Sequence, residues 1–243
     1  LEGMVAATFT PLDENGDVNL SVIDKYADWI ASTPIKGVFV CGTTGEFSSL
    51  TIDERKLILE KWLVSARKRF KVIAHVGSNC QRSAMELARH AAQVGADAIA
   101  SIAPSFFKPG TVDELVDFFA PICHSAAGLP FYYYNMPSIT GVNLPVDKFL
   151  VEGKKKIPNL VGTKFTHNNL MEMGVCIELE QHRFEVLHGY DEILISGLAM
   201  GAVAGVGSTY NYIPNVYQAI FDSMKMNDLE TACHNQIKSI RTV

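Results

Sequence analysis

The sequence predicts an α/β protein, and within that class a closed (β/α)8 barrel. Short apolar runs rich in β-branched and aromatic residues alternate with longer amphipathic stretches along most of the 243 residues. The runs are apolar on both faces, as strands of a parallel sheet covered by helices are. Eight such units in about 210 residues favour a barrel, which commonly has about 250 residues, over an open doubly wound sheet.

Eight apolar runs are predicted to be the strands, and a helix is expected after each of them. The runs are Val5 to Phe9, Gly37 to Val40, Val72 to Val76, Ala98 to Ile102, Pro130 to Tyr134, Leu160 to Lys164, Phe184 to His188 and Ala202 to Val206.

Three predicted helices open with a hydroxyl residue followed three positions later by a glutamate. These capping boxes begin at Thr51, Ser83 and Thr111, and in each the hydroxyl and the glutamate would satisfy N–H groups of the first turn. Gly95 is expected to end the helix that starts near Ser83, because glycine favours the left-handed conformation found after helices.

The residues after the eighth strand predict helix eight and the start of a C-terminal helical extension. The two helices are expected at Val216 to Met226 and Leu229 to Ile240. No linker or low-complexity segment interrupts the chain, so residues 1–243 are predicted to form a single domain.

Composition argues against several classes of protein. A hydrophobic fraction of 48% and a charged fraction of 19% are those of a folded globular chain. The net charge of −5 comes without a basic stripe, so no nucleic-acid partner is expected. The five scattered cysteines contain no Cys-x-x-Cys pair, which favours reduced thiols in a cytoplasmic protein and no metal site.

One stretch raises the question of a membrane. Ile193 to Val206 is almost wholly apolar, and Gly197, Gly201 and Gly205 recur at the spacing of packed transmembrane helices. Spanning needs about 20 apolar residues, so a buried helix followed by a buried strand is predicted instead. The N-terminus has no signal-peptide pattern, and no membrane association is expected.

In a barrel of this class the active site forms where the strands end, at their carboxyl edge. Reactive side chains do follow the predicted strands there. They are Thr43 and Thr44 after the second strand, Tyr134 at the fifth, Lys164 and Thr166 at the sixth, Gly189, Asp191 and Glu192 after the seventh, and Ser208 after the eighth.

Lys164 has two interpretations. In the first, which is the simpler one for a lysine at the end of an apolar run, the aliphatic part of the side chain is buried and the ammonium extends into solvent. Apolar surroundings, however, disfavour an ammonium and favour the neutral, nucleophilic amine. The hydroxyls and carboxylates at neighbouring strand ends favour the second interpretation.

The other candidates also have ordinary alternatives. The loop Gly42-Thr43-Thr44-Gly45-Glu46 suits an anion, and it is equally an ordinary turn with a threonine cap. Tyr134 ends a run of tyrosines, and its hydroxyl is expected at the barrel mouth as an acid or base. Asp191 and Glu192 either complement a helix dipole or bind sugar hydroxyls. A phosphate site at Gly205-x-Gly207-Ser208 is not favoured, because no basic residue is nearby.

Together these motifs resemble the pyruvate-dependent class I aldolase family, which includes dihydrodipicolinate synthase and the lyases of sialic acid. The resemblance covers residues 3–243 and starts at Thr8-Phe9-Thr10-Pro11. Its most specific elements are Gly42-Thr43-Thr44-Gly45-Glu46, Tyr134-Asn135-Met136-Pro137 and Gly162-Thr163-Lys164.

The resemblance implies a role for each candidate. Lys164 would form a Schiff base with the C2 ketone of the substrate, and Tyr134 would transfer protons. Thr43 and Thr44 would hold the pyruvyl carboxylate. The residues implied to contact the sugar are Thr166, Gly189, Asp191, Glu192 and Ser208. It also implies a homotetramer that needs no cofactor beyond the covalent imine.

Within the family, the sialic acid branch is favoured by Gly189-Tyr190-Asp191-Glu192, by Thr166 and by Ser208-Thr209-Tyr210-Asn211. Reversible cleavage of N-acetylneuraminate to N-acetylmannosamine and pyruvate is therefore expected. Two departures from the synthase pattern agree with this: Phe106-Phe107 replaces a tyrosine-bearing segment, and Ile139 stands where the synthases carry an arginine. The alternatives are a sibling aldolase acting on another 2-keto acid, and a catalytically impaired barrel that only binds sialic acid.

Overall fold

Eight parallel strands close into a barrel in the computed structural model, which describes residues 1–126 and 128–243. The strands are β1 (Gly3–Ala7), β2 (Gly37–Val40), β3 (Lys71–His75), β4 (Ala98–Ile102), β5 (Phe131–Asn135), β6 (Leu160–Phe165), β7 (Glu185–His188) and β8 (Ala204–Gly207). Each strand pairs with the next along the chain, and β8 pairs with β1. The prediction of a (β/α)8 barrel with further C-terminal helices is confirmed.

The helices lie between the strands and after the last one. They are α1 (Val22–Ala31), α2 (Ile52–Ala66), α3 (Gln81–Val94), α4 (Val112–Ser125), α5 (Pro137–Thr140), α6 (Val146–Lys156), α7 (Leu170–Glu178), α8 (Leu194–Ala199), α9 (Pro214–Lys225) and α10 (Leu229–Ile240). Helix α10 has the predicted bounds. Helix α9 begins two residues before the prediction, at Pro214, because proline suits the first turn, where its missing N–H is not needed.

Two of the three predicted capping boxes lie at the start of a helix, and the third does not. At Thr51 the full capping box is present, and at Thr111 the hydroxyl accepts from the Glu114 N–H as expected. The box at Ser83 is wrong. Helix α3 already begins at Gln81, so Ser83 lies in its first turn. The glutamate of that motif, Glu86, is bound instead by Lys56 of α2.

The inside of the barrel is filled by side chains from every second strand position. Val5, Phe39, Ile73 and Leu187 belong to this inner cluster, so the inside of the barrel is a packed core. The tyrosine run obeys the two-residue period of a strand. Tyr132 and Tyr134 point inward, whereas Tyr133 packs outside against Phe119 and Phe149.

The apolar stretch from Ile193 to Val206 forms the short helix α8 and then strand β8, as predicted. Gly197 of α8 lies against the ring of His188, where a Cβ would approach the ring carbon Cγ to 2.6 Å. Close packing between helix and strand therefore explains this glycine. Across residues 1–126 and 128–243, no helix is both long enough and apolar enough to cross a membrane.

Candidate active site

Lys164 lies inside the barrel mouth with 4% of its surface exposed. Strand β6 ends one residue later, and the side chain points inward because alternate strand residues face the barrel axis. The Nζ atom is 4.1 Å from the ring centroid of Tyr134 and 4.6 Å from that of Phe39. Within the described residues it has no carboxylate partner. The solvent-reaching interpretation is therefore wrong, and the amine lies between two aromatic rings.

Tyr134 is the neighbour of Lys164 across the sheet. The two residues are register partners on β5 and β6, which places both side chains on the same face. The Tyr134 hydroxyl lies 3.0 Å from Thr43 Oγ1 and 3.1 Å from Met136 Sδ. This hydroxyl lies at the barrel mouth and joins the fifth strand to the loop after β2.

The loop from Cys41 to Glu46 follows β2 in a tight turn. Cys41 and Glu46, at its two ends, adopt positive φ angles of 54° and 55°, a strained conformation for residues other than glycine. Gly42 packs on the Phe39 ring, where a Cβ would lie 2.8 Å from ring atoms. In the described structure the Thr43 and Thr44 N–H groups donate to no acceptor. They are free to bind an anion, and the Thr43 side chain is exposed to meet it.

Thr166 and Gly189 lie together on the other side of the mouth. Thr166 is buried, and its Oγ1 has no partner among the described atoms. A Cβ on Gly189 would overlap that Oγ1, so the absence of a side chain at 189 makes room for the hydroxyl. A buried hydroxyl without a hydrogen-bond partner destabilises the fold. Such a hydroxyl is typical of a site where a bound ligand supplies the missing partner.

Asp191 is the buried carboxylate of this side, with 5% of its surface exposed. Its Oδ2 accepts from the backbone N–H of Thr209 at 2.9 Å and from the Thr209 hydroxyl at 2.6 Å. Its Oδ1 has no partner in the described structure, and it occupies the space that a Cβ on Gly207 would take. Burial raises the pKa of Asp191, and the hydrogen bonds from Thr209 oppose that rise.

The remaining predicted residues line the same end of the barrel with fewer constraints. Thr44, Glu192 and Ser208 are half-buried. Glu192 belongs to a short 3-10 helix, Asp191–Ile193, and Ser208 immediately follows β8. Their side chains make no hydrogen bond to other described residues, so they are available to a ligand.

The fold and the site can be compared with known proteins. The model of the dihydrodipicolinate synthetase family matches residues 1–242. The chain belongs to this family. It is 42% identical to the N-acetylneuraminate lyase of Mus musculus over 246 aligned positions, which cover 100% of this chain and 77% of that protein.

Solved structures give the same relationship. The structure of Proteus mirabilis N-acetylneuraminate lyase has a TM-score of 0.96 and 36% identity, covering 99% of this chain and 81% of that one. A catalytic lysine mutant of Ruminococcus gnavus sialic acid aldolase has a TM-score of 0.94 and 27% identity, covering 99% and 78%. Dihydrodipicolinate synthetase family membership thus agrees with the resemblance inferred from the motifs.

In this family member, three further residues support the site, and two of them, Arg55 and His75, were not among the predicted positions. Thr209 holds Asp191, and Arg55 and His75 lie behind the loop after β2. His75 ends strand β3, so the strand-end rule that located Tyr134 and Lys164 would have found it as well. Thr209 follows Ser208 at the end of β8 and carries the same signal. Arg55 carries no such signal, because it lies on α2 and its partners are distant in the sequence.

Proposed function

We propose that this member of the dihydrodipicolinate synthetase family is a Schiff-base aldolase that cleaves N-acetylneuraminate reversibly to N-acetylmannosamine and pyruvate. The choice of N-acetylneuraminate as substrate is supported by the similarity to the N-acetylneuraminate lyases of Mus musculus and Proteus mirabilis. One observation supports the chemistry above all others: Lys164 is buried between two aromatic rings beside the Tyr134–Thr43 hydrogen bond.

Lys164 is proposed to act as the nucleophile. Its amine attacks the C2 ketone of the open-chain substrate, water leaves, and a protonated imine forms. When the C4 hydroxyl loses its proton, the C3–C4 bond breaks and its electron pair moves into the imine, giving an enamine. C4 becomes the aldehyde carbon of N-acetylmannosamine. Protonation of the enamine at C3 and hydrolysis of the imine then release pyruvate and regenerate Lys164.

Tyr134 is proposed to move the proton. Its oxygen accepts the proton of the C4 hydroxyl while its own proton passes to the substrate carboxylate. After the bond has broken, the carboxylate returns its proton to the Tyr134 oxygen, and Tyr134 donates a proton to C3 of the enamine. The hydrogen bond to Thr43 supports this role, because it orients the phenol toward the loop where the carboxylate would bind.

The two sides of the mouth would then bind the two ends of the substrate. The free N–H groups and hydroxyls of Thr43 and Thr44 suit the carboxylate. On the far side, Thr166, Asp191, Glu192 and Ser208 have unpaired oxygens for the sugar hydroxyls, and Gly189 leaves space for the Thr166 hydroxyl. Buried groups that bond hydroxyls discriminate against analogues that lack them.

The reaction as proposed needs neither a metal nor a cofactor, because the imine is the electron sink. Activity should therefore be unchanged after dialysis against a chelator. A loss that is restored by a divalent cation would contradict this part of the proposal.

The proposal also covers assembly and compartment, namely a homotetramer in the cytoplasm. Phe106 and Phe107 expose 76% and 86% of their surface, and adjacent exposed aromatic rings are typical of surfaces buried between copies. All five cysteines are free, as in reducing compartments. Light scattering of the purified protein measures the assembly, and a monomeric mass would contradict it.

The substrate is tested by incubating the protein with N-acetylneuraminate and measuring both products. Equal release of pyruvate and N-acetylmannosamine is expected. A protein that is trapped by pyruvate and borohydride yet leaves N-acetylneuraminate intact would be a sibling aldolase. Binding of N-acetylneuraminate without release of pyruvate would show a barrel that only binds sialic acid.

A further inference from the structure

Arg55 is a buried cation that the proposed mechanism does not use. It lies on the inner face of α2, directly after Glu54 of the capping box, with 4% of its surface exposed. In the described part of the chain its guanidinium faces no carboxylate. Burial lowers the pKa of Arg55 to about 10, so it remains charged at neutral pH. A buried charge without a counter-ion is costly, and its position therefore calls for an explanation.

The guanidinium lies directly behind the loop that runs from Cys41 to Glu46. Nη1 donates to the Gly77 carbonyl at 2.9 Å, and Nη2 donates to the His75 carbonyl at 2.8 Å. The central carbon of the group lies 5.4 Å from the ring centroid of Phe47, the residue after the loop. Arg55 and Cys41, the residue that begins the loop, line the same small cavity. Arg55 is thus near both ends of the loop.

His75 connects this cation to the loop backbone. Its Nε2 lies 3.3 Å from the Ile102 N–H, which it accepts, so Nδ1 carries the ring proton and donates to the Cys41 carbonyl at 2.7 Å. The ring is packed tightly, because a Cβ on Gly77 would lie 2.6 Å from Nε2. Burial and the charge of Arg55 hold the pKa of His75 well below its ordinary value, which keeps the ring neutral.

We propose that Arg55 and His75 are positioning residues for the substrate carboxylate. His75 fixes the carbonyl of Cys41, from which the left-handed turn of the loop starts. Arg55 holds the end of β3 and places an uncompensated positive charge behind the free N–H groups of Thr43 and Thr44. The bound carboxylate is the counter-ion that the guanidinium lacks. This inference rests on the proposed function, since it assigns the loop to a 2-keto acid.

The charge and the hydrogen bonds of Arg55 are separated by three substitutions. Arg55→Met removes both and keeps the apolar stem, whereas Arg55→Gln keeps an N–H donor for the carbonyls without the charge. Arg55→Lys keeps the charge. Lys56→Met is the matched control, because it removes one cation from the exposed side of the same helix, where Lys56 pairs with Glu86.

Each variant is titrated with pyruvate in the presence of borohydride, and the trapped fraction is measured by mass spectrometry. Arg55→Met and Arg55→Gln should raise the half-saturating pyruvate concentration about tenfold, equivalent to about 1.4 kcal/mol. Arg55→Lys should raise it less than about threefold, and Lys56→Met should leave it unchanged. The KM for cleavage should follow the same order, with kcat changed less.

A purely structural role would give a different result. Partial unfolding lowers the fraction of protein that is trapped at saturating pyruvate. The molecules that stay folded, however, keep the half-saturating pyruvate concentration of the wild type. Native half-saturation in folded Arg55→Gln would therefore overturn the proposal, and so would equal increases for Arg55→Lys and Arg55→Gln. Should Arg55→Met not fold, as judged by circular dichroism, the Gln and Lys pair decides. If pyruvate does not trap the wild-type protein at all, the proposed function itself fails and the inference fails with it.

Discussion

Replacement of Thr209 by valine is expected to destabilise the protein in a pH-dependent way. The change keeps the shape of the side chain and removes the hydroxyl that donates to Asp191 Oδ2 at 2.6 Å. Because that single proton goes to the carboxylate, the Tyr217 hydroxyl, also 2.6 Å from Thr209 Oγ1, must donate to it. Valine therefore leaves both Asp191 and Tyr217 short of a partner.

The magnitude depends on whether Asp191 is ionised. A hydrogen bond to a charged group contributes about 1.5–3 kcal/mol, against about 1 kcal/mol for a neutral one. Burial already raises the pKa of Asp191 above the ordinary value of 3.8, and loss of the hydroxyl raises it further. A raised folded-state pKa favours folding below the unfolded-state value, and this contribution is lost as pH rises through the folded-state pKa. The destabilisation should therefore be larger at pH 8 than at pH 4.

Urea unfolding of the wild type and the variant across pH 4 to 8 measures this difference. Thr209→Ser is the control, because it keeps the hydroxyl and loses only a methyl group, at about 0.8 kcal/mol independent of pH. The free energy of unfolding of Thr209→Val should fall about 1 kcal/mol more at the alkaline end than at the acid end. An equal loss at every pH, or a loss no larger than that of the serine variant, would show that the Thr209 hydroxyl does not stabilise an ionised Asp191.

Three further substitutions test the site. Tyr134→Phe removes the hydroxyl that bonds Thr43 and should lower kcat about 10²- to 10⁴-fold. Lys164 should still form the borohydride-reduced adduct with pyruvate. An unchanged kcat would show that Tyr134 does not transfer the proton. Thr43→Val should raise the KM for N-acetylneuraminate and lower kcat, Thr43→Ser should do neither, and equal behaviour of the two would argue against a role for the hydroxyl. Gly189→Ala would overlap Thr166 Oγ1, so it should weaken N-acetylneuraminate binding and leave the pyruvate half-saturation unchanged; a parallel change in both would place Gly189 outside the sugar side.

Local patterns in the sequence predict most of the fold. Strands β2 and β4 have the predicted bounds, because short apolar runs between turns leave little choice of register. Boundaries set by neighbours are less predictable. Strand β1 starts at Gly3, two residues early, because Gly3 pairs with Ala204 of the closing strand. Ser83 failed as a helix start for a similar reason, since a salt bridge between helices binds the glutamate of its motif.

The site divides in the same way. Lys164 and Tyr134 were predictable, because strand order and the two-residue period together place them at one mouth. The contacts that hold Asp191 and the end of β3 were not predictable. Thr209 lies 18 positions from Asp191 in the sequence, and Arg55 binds the carbonyl of a residue 20 positions away. Such pairs follow from how helices and loops pack, which no local pattern encodes.

The most direct test of the account is borohydride reduction in the presence of pyruvate, followed by peptide mapping. Lys164 should gain the mass of one reduced pyruvyl group, and Lys164→Met should gain none under the same conditions. An adduct on another lysine, or no adduct in a folded wild-type protein, would contradict the assignment of Lys164 as the nucleophile.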